Sequence, residues 1–282
     1  MKKGLVMEGG GMRGLFTAGV MDVFLENGIV FDGAIGVSAG AAFGCNIKSR
    51  QPGRVLRYNT AFCKDPRFCS VRSFIKTGDM FGAEFCYHTL PFELDLFDVE
   101  AYENNPMDFY VVCTDVETGL PVYKNCLKAD SNAMEWFRAS ASMPLVSRIV
   151  EVDGYKLLDG GIADSVPIAY FRSIGYERNV VILTQPKAYR KGKNKMLPLV
   201  KHALRKYPKT VEAMANRHLV YNETIAEICR MEDAGEILVI RPEEKLPIGR
   251  ICHDADTLRR TYEIGRQAGD AALAKVRTFL EA

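Results

Sequence analysis

The chain has 282 residues, of which 48% are hydrophobic and 26% charged. That composition excludes an intrinsically disordered chain and supplies a large core, in one domain or one domain with an appendage. The formal net charge is +2, too small to make nucleic acid a partner of the whole chain.

Eight cysteines, at 45, 63, 69, 86, 113, 126, 229 and 252, show no C-x-x-C spacing. Several lie inside apolar runs, so they read as reduced core thiols and not as a disulfide frame or a zinc site. The apolar run behind Lys2 and Lys3 is only Leu5-Val6-Met7 before Glu8, too short for a secretory signal. No run approaches the roughly 18 apolar residues of a membrane helix. The expectation is a cytoplasmic protein whose membrane contact, if any, is peripheral.

In chain order, residues 4–8 read as a short strand, followed by the loop Gly9-Gly10-Gly11-Met12-Arg13-Gly14. Phe16, Val20, Val23 and Phe24 recur at helical spacing and predict a helix over 15–27, ended by Gly28. Residues 31–37 form the second strand. A strand–helix–strand opening favours parallel pairing with a right-handed crossover.

The second strand runs into Gly36-Val37-Ser38-Ala39-Gly40, with a small-residue helix start behind it. In that context G-x-S-x-G is a nucleophile elbow. Gly36 and Gly40 permit a turn too sharp for side chains, and the turn lifts the Ser38 hydroxyl out of the sheet. The next helix sets a backbone N–H beside it. The glycine loop has two chemical readings besides a plain structural turn. Gly9, Gly11 and Gly14 satisfy G-x-G-x-x-G, and with Asp32 they outline a dinucleotide fingerprint. The same glycines would let backbone N–H groups hold developing negative charge, as an oxyanion hole. In a dinucleotide fingerprint the acid sits at the far end of the second strand, where this chain has Ser38. The pairing of loop and elbow favours the oxyanion hole.

Helices are expected over 41–50 and 52–62. Residues 64–105 lack periodicity but carry eight aromatics: Phe68, Phe74, Phe81, Phe85, Tyr87, Phe92, Phe97 and Tyr102. They read as a helical cap with its own small core. The alternative is that some of them line an acyl-chain channel or touch a membrane. His88 reads as a packing residue. Residues 108–115 form a strand, Thr118-Gly119 a hairpin turn and 120–123 the return. Asp130 or Ser131 caps a helix to about Ala141. Residues 151–158 give two short strands about Asp153-Gly154 and lead into Asp159-Gly160-Gly161, on a tight loop at a strand end.

Taken together, the Gly9 to Gly14 loop, Gly36-Val37-Ser38-Ala39-Gly40 and Asp159-Gly160-Gly161 resemble the three motifs of patatin-like phospholipases, in the same order. The stretch Arg138-Ala139-Ser140-Ala141-Ser142-Met143-Pro144-Leu145 also resembles a family segment ahead of the aspartate. The similarity covers residues 4–175. It implies an α/β fold, a three-layer α/β/α sandwich with a mostly parallel central sheet. It further implies an acyl hydrolase with a Ser–Asp dyad, in which Ser38 is the nucleophile and Asp159 the base; the sequence shows no metal-ligand cluster, and no cofactor or metal is expected. Backbone N–H groups of Gly9, Gly10, Gly11, Met12, Arg13 and Gly14 would hold the oxyanion; from Arg13 only the N–H is claimed.

Aspartate, with an ordinary pKa of about 3.9, is a weak base at neutral pH, and most serine hydrolases set a histidine beside the serine. His202, His218 and His253 follow Asp159, but none sits in a glycine-framed turn. A dyad can work if the carboxylate is held within reach of Ser38 and the oxyanion hole supplies most of the stabilisation.

A short helix is expected from Val166-Pro167 to Ile174, then a strand over 179–184. Gln185-Pro186 breaks it and marks a domain edge. Residues 1–185 would be the catalytic domain and 186–282 a mainly helical C-terminal region packed on it. That region should hold long helices over 210–231 and 254–280 around a strand at 237–240. Residues 187–209 carry nine Lys or Arg and no acid, either a solvated surface or a patch for anionic headgroups. The leading reading is an acyl hydrolase of phospholipid or lysophospholipid esters, with peripheral contact to an anionic membrane surface left open and no nucleic acid. Its rivals are a nucleotide-cofactor enzyme using the glycine loop and a non-catalytic lipid-binding or regulatory module on the same fold.

Overall fold

The computed structural model describes residues 1–281. The chain opens with β1 (Lys2–Met7), α1 (Gly14–Glu26) and β2 (Gly33–Val37), and the two strands pair in parallel. Short helices α2 (Ala39–Ala42) and α3 (Cys45–Lys48) follow, then α4 (Arg54–Phe62) and α5 (Val71–Thr77). A π-helical stretch, Phe85–Leu94, leads to α6 (Val99–Asn104). β3 (Asp108–Asp115) and β4 (Pro121–Asn125) form the expected hairpin. α7 (Ser131–Ser140) starts where the Asp130 side chain accepts the Ala133 N–H at 2.9 Å. β5 (Val150–Val152) and β6 (Tyr155–Asp159) form a second hairpin, with Asp153 and Gly154 both at positive φ, the turn a two-residue hairpin favours. The chain closes with α8 (Ile168–Ser173), β7 (Tyr176–Ile182), α9 (Leu197–Ala203), α10 (Pro208–Asp233), β8 (Ile237–Ile240) and α11 (Ala255–Glu281).

The strands make one eight-stranded sheet in the order β5-β6-β3-β2-β1-β7-β8, with β4 on β3 beside that path. β3, β2, β1, β7 and β8 run parallel. Side-chain alternation separates two faces. On β1, Leu5 and Met7 pack into the cluster that holds α1 and α11, whereas Val6 packs with α8 and α10. Ala34 and Ile35 of β2 divide in the same way, as do Val180 and Val181 of β7. Helices cover both faces of a mostly parallel sheet, which is a three-layer α/β/α sandwich.

Some local expectations change. The helix expected over 41–50 is two helices, interrupted at Phe43 and Gly44, and glycine is a poor helix former. The aromatics of 64–105 build no core of their own: Phe68, Phe85, Phe97 and Tyr102 are buried in the cluster that holds Leu5 and Phe16. β7 begins at Tyr176, three residues early, because its first residues align with Lys2 and Lys3 of β1. The sheet continues across residue 185, since β8 pairs in parallel with β7. α11 lies against α1 so closely that a Cβ on Gly265 would strike the Phe16 carbonyl oxygen.

The basic stretch divides as well. Lys193, Lys195, Lys201 and Lys206 are exposed, beside exposed Met196 (50%) and Leu199 (54%). Lys187 pairs with Asp233 at 3.4 Å. Lys191 turns inward, its Nζ 3.8 Å from the centre of the Tyr221 ring. All eight cysteines are unbridged. Among the described residues no helix is long and apolar enough to cross a membrane.

Candidate active site

The parallel strands bring their carboxyl ends to one edge of the sheet, the edge at which open α/β sheets bind ligands. β1 delivers the glycine loop there and β2 delivers Ser38. β6 runs antiparallel to β3 and ends at Asp159, opposite Cys113. Gly36 lies in β2, Gly40 in α2, and Gly160 and Gly161 in the 3-10 turn after Asp159.

Ser38 has φ 56° and ψ −122°, a conformation costly for any residue with a side chain. Hydrogen bonds on both sides hold it. Its N–H donates to Ser140 Oγ at 2.9 Å, and the Ser140 hydroxyl donates in turn to the Val112 carbonyl at 2.6 Å. Its own carbonyl accepts the N–H groups of Ala41 and Ala42, each at 2.9 Å.

Asp159 is 2% exposed. Its N–H donates to the Ser142 carbonyl at 2.8 Å, and its carbonyl accepts the Thr114 hydroxyl at 2.9 Å. Oδ1 accepts the Gly161 N–H at 2.7 Å. The Ser38 hydroxyl stands beside the carboxylate, although among the described residues no hydrogen bond of 3.5 Å or less joins them. Burial pushes the Asp159 pKa above the ordinary carboxylate value, against the Arg217 charge, the Ser38 hydroxyl and the Gly161 N–H, which pull it down. Arg217 stands on α10, where Nε donates to the Gly161 carbonyl. Burial lowers its own pKa, and the Asp159 charge opposes that shift.

The glycine loop touches the elbow. A Cβ on Gly9 would lie 2.7 Å from the Val37 carbonyl oxygen and 2.8 Å from Ser38 Cβ, so only glycine permits this approach. Among the described residues, nothing accepts a hydrogen bond from the N–H of Gly10 or Gly11. Met12 N–H donates to the Arg250 carbonyl at 3.1 Å, and Gly14 N–H turns back to the carbonyls of Gly11 and Met12. Two of the six expected donors, Met12 and Gly14, are therefore occupied, whereas those of Gly10 and Gly11 are unspent. Behind it, buried Glu8 accepts the Thr184 N–H at 2.6 Å and the Tyr221 hydroxyl at 2.8 Å.

Other candidates lie elsewhere. Asp32 precedes β2, where its Oδ2 accepts the Lys3 N–H at 2.7 Å. That is the opposite end of the strand from the glycine loop, so the two halves of a dinucleotide fingerprint do not meet. His88 meets Glu135 at 3.2 Å, His218 and His253 face backbone carbonyls, and His202 is exposed. Among the described residues no histidine is hydrogen-bonded to Ser38 or Asp159. Sequence reasoning missed Arg217, whose only signal is its place on a long amphipathic helix. It also missed the hydroxyl of Ser140, although the surrounding stretch stood out.

An apolar cavity of about 140 Å³ opens beside Ser38 and Met12. Its walls include Ala42, Phe43, Tyr58, Phe81, Tyr87 and Phe137. Aromatics of 64–105 thus line this cavity as well as pack into the core.

Residues 5–172 match the patatin-like phospholipase family, and residues 207–281 match a domain of unknown function (DUF6363). Over 196 residues the chain is 32% identical to YjjU of Escherichia coli (strain K12), covering 64% of this chain and 52% of that protein. Over 179 residues it is 27% identical to lysophospholipase NTE1 of Chaetomium globosum, covering 61% of this chain and 11% of the relative. The chain thus spans about half the length of YjjU and far less of NTE1. VipD from Legionella pneumophila aligns over 96% of this chain and 67% of its own, at TM-score 0.41 and 11% identity, too loose a likeness to bear on function. The family match spans more than half of the chain and runs unbroken through loop, elbow and aspartate, and the chain belongs to the patatin-like phospholipase family.

Proposed function

We propose that this protein is a lipid acyl hydrolase that cleaves fatty-acyl esters of phospholipids or lysophospholipids, with Ser38 as nucleophile and Asp159 as base. One observation carries this assignment: the buried Asp159 carboxylate stands beside the elbow serine, and that serine lines an apolar cavity. The name lysophospholipase borne by the fungal relative supports the substrate class.

In the proposed reaction, Ser38 Oγ attacks the ester carbonyl carbon as its proton passes to Asp159. Negative charge gathers on the carbonyl oxygen, and the unspent N–H groups of Gly10 and Gly11 are suited to receive it. Collapse of the intermediate breaks the bond to the alcohol, which leaves with the proton from Asp159. The acyl chain stays esterified to Ser38, with its tail in the apolar cavity. Water then gives a proton to Asp159 and attacks the acyl carbon, and the fatty acid departs as Ser38 regains its proton. Burial answers the weakness of aspartate as a base, because it raises the proton affinity of the carboxylate toward working pH. The Arg217 charge works the other way and keeps the ionised form accessible.

Peripheral contact with an anionic membrane surface belongs to the same proposal. Exposed Lys193, Lys195, Lys201 and Lys206 beside exposed Met196 and Leu199 combine the charge and the apolar area such contact uses.

Fluorophosphonate labelling followed by peptide mass spectrometry tests the assignment. One phosphonyl group on Ser38, absent after Ser38→Ala, is the expected result. A folded wild-type protein that takes up no label would instead be a lipid-binding module on this fold.

A further inference from the structure

Four cations stand about the glycine loop and Asp159: Arg13 Nη2 lies 3.2 Å from a Cβ placed on Gly10, the Arg250 backbone packs on Gly11, Arg217 holds the Gly161 carbonyl, and Lys191 covers the Tyr221 ring whose hydroxyl reaches Glu8. Arg13 comes from the loop, Lys191 from the segment after β7, Arg217 from α10 and Arg250 from the turn before α11. Each lies within the field of others of the set: Arg13 feels Arg250, Lys191 feels Arg13, Arg217 and Arg250, and Arg217 feels Arg250. The carboxylates in the same field are Glu8 and Asp159. Both are already engaged, Glu8 by Thr184 and Tyr221 and Asp159 by Gly161.

Among the described residues, none of the four cations forms an ion pair within 4.0 Å. Other arginines of the chain do find carboxylates. Arg54 and Arg57 share Asp95, Arg138 takes Asp79 and Glu135, and Arg266 takes Glu26. Arg13 Nε is buried with no hydrogen-bond partner. Lys191 is fixed in place through two backbone bonds to the Asn222 side chain, at 2.8 and 3.0 Å. Arg250 is exposed, but burial desolvates Arg13, Lys191 and Arg217, and crowding them with no direct ion pair costs folding free energy. An incoming anion would recover that cost.

We propose that Arg13, Lys191, Arg217 and Arg250 form an anion subsite that takes the phosphate group of the substrate's headgroup, next to the ester cleaved at Ser38. The anion site stands on the cations alone; its use as a headgroup site rests on the proposed hydrolase function. Arginine offers paired N–H donors that match phosphate oxygens, and lysine adds a point charge. None of the four lines the apolar cavity, which takes Gly11, Met12 and Ser38 as its near wall. Acyl tail and phosphate therefore have separate walls that meet at Ser38. Three of the four cations lie outside residues 5–172, so the later part of the chain supplies most of the headgroup contact.

Titration calorimetry of the full chain with sn-glycerol 3-phosphate reads the subsite without turnover. Saturable binding is expected, with glycerol itself not binding. Lys191→Met and, separately, Arg250→Ala should each weaken it at least tenfold; the second variant keeps the backbone carbonyl that Met12 uses. No saturable binding to the wild type overturns the subsite, whether or not any ester is hydrolysed. A kinetic arm separates headgroup from free phosphate ester by comparing kcat/KM for a lysophosphatidylglycerol and a monoacylglycerol of the same chain length. The ratio of the two should fall at least tenfold in both variants. Glycerol phosphate binding with an unchanged ratio overturns the headgroup assignment. Glycerol phosphate binding by a protein that cleaves neither lipid supports the anion site and overturns the hydrolase function instead.

Discussion

The hydroxyl of Ser140 accepts the backbone N–H of Ser38 at 2.9 Å and donates its own hydrogen bond to the Val112 carbonyl at 2.6 Å. One buried side chain thus ties the strained elbow to β3. Two residues on, the Ser142 carbonyl accepts the Asp159 N–H at 2.8 Å. The end of α7 therefore braces both members of the proposed dyad from one side.

Ser140→Ala leaves the Ser38 N–H and the Val112 carbonyl unpaired. The expected loss of stability is about 1–3 kcal/mol, read by urea denaturation. Ser140 acts as a positioning residue, so kcat for a short-chain ester should fall about tenfold or more with little change in KM. A variant that loses stability but keeps wild-type kcat would show that the brace is structural only.

The raised pKa of Asp159 has two consequences of definite sign. Its folded pKa lies above its unfolded one, so the folded state binds the proton more tightly. The contribution of Asp159 to stability is then full below about pH 4 and declines as pH rises through the folded pKa. Asp159→Asn removes that decline. The melting temperature of the variant minus that of the wild type should increase from about pH 4 to about pH 8. In catalysis the carboxylate must be ionised, so the acid limb of kcat/KM should lie above the ordinary carboxylate range. A difference in melting temperature that is flat with pH, together with an acid limb near pH 4, contradicts both.

Ala42 follows the elbow and lines the apolar cavity. Ala42→Phe puts a ring where the acyl tail is proposed to lie. Hydrolysis of a long-chain ester should fall about tenfold or more relative to a butyrate ester, at an overpacking cost of about 1–3 kcal/mol. Equal losses on both esters would place the acyl tail elsewhere.

Binding to vesicles tests the proposed membrane contact. Each exposed lysine near an anionic surface contributes about 1 kcal/mol, within a Debye length. Binding to anionic vesicles should weaken with added salt and exceed binding to neutral ones. Lys193→Glu with Lys195→Glu should reduce it without changing turnover of a soluble short-chain ester. Equal, salt-independent binding to both vesicle types would make the stretch plain solvated surface.

Much of the site is legible in the sequence because its backbone devices are local. An elbow needs glycines within two residues of Ser38, and a tight turn after a hairpin needs Asp159 beside two glycines. The layers are legible too, since Leu5, Val6 and Met7 are all apolar and a strand buried on both faces must be. Long-range partners are a different matter. Arg217 looks like any polar position on α10 until the helix is docked against Gly161. Lys191 looks like its basic neighbours until the backbone turns it over Tyr221. Arg250 reaches the glycine loop through its carbonyl, a contact that no side-chain pattern encodes. Six of the eight aromatics of 64–105, all but Phe74 and Phe92, pack onto one core from an irregular segment, so the stretch shows no period.

The central claim is that Ser38 and Asp159 act as one catalytic unit. The most direct test is the initial rate of lysophospholipid hydrolysis by wild type, Ser38→Ala, Asp159→Asn and the double variant, each shown to be folded. Each single change should remove nearly all turnover, and the double variant should be no worse than the poorer single one, because groups that act as a unit are strongly non-additive. Near-native turnover by either folded single variant would contradict the dyad.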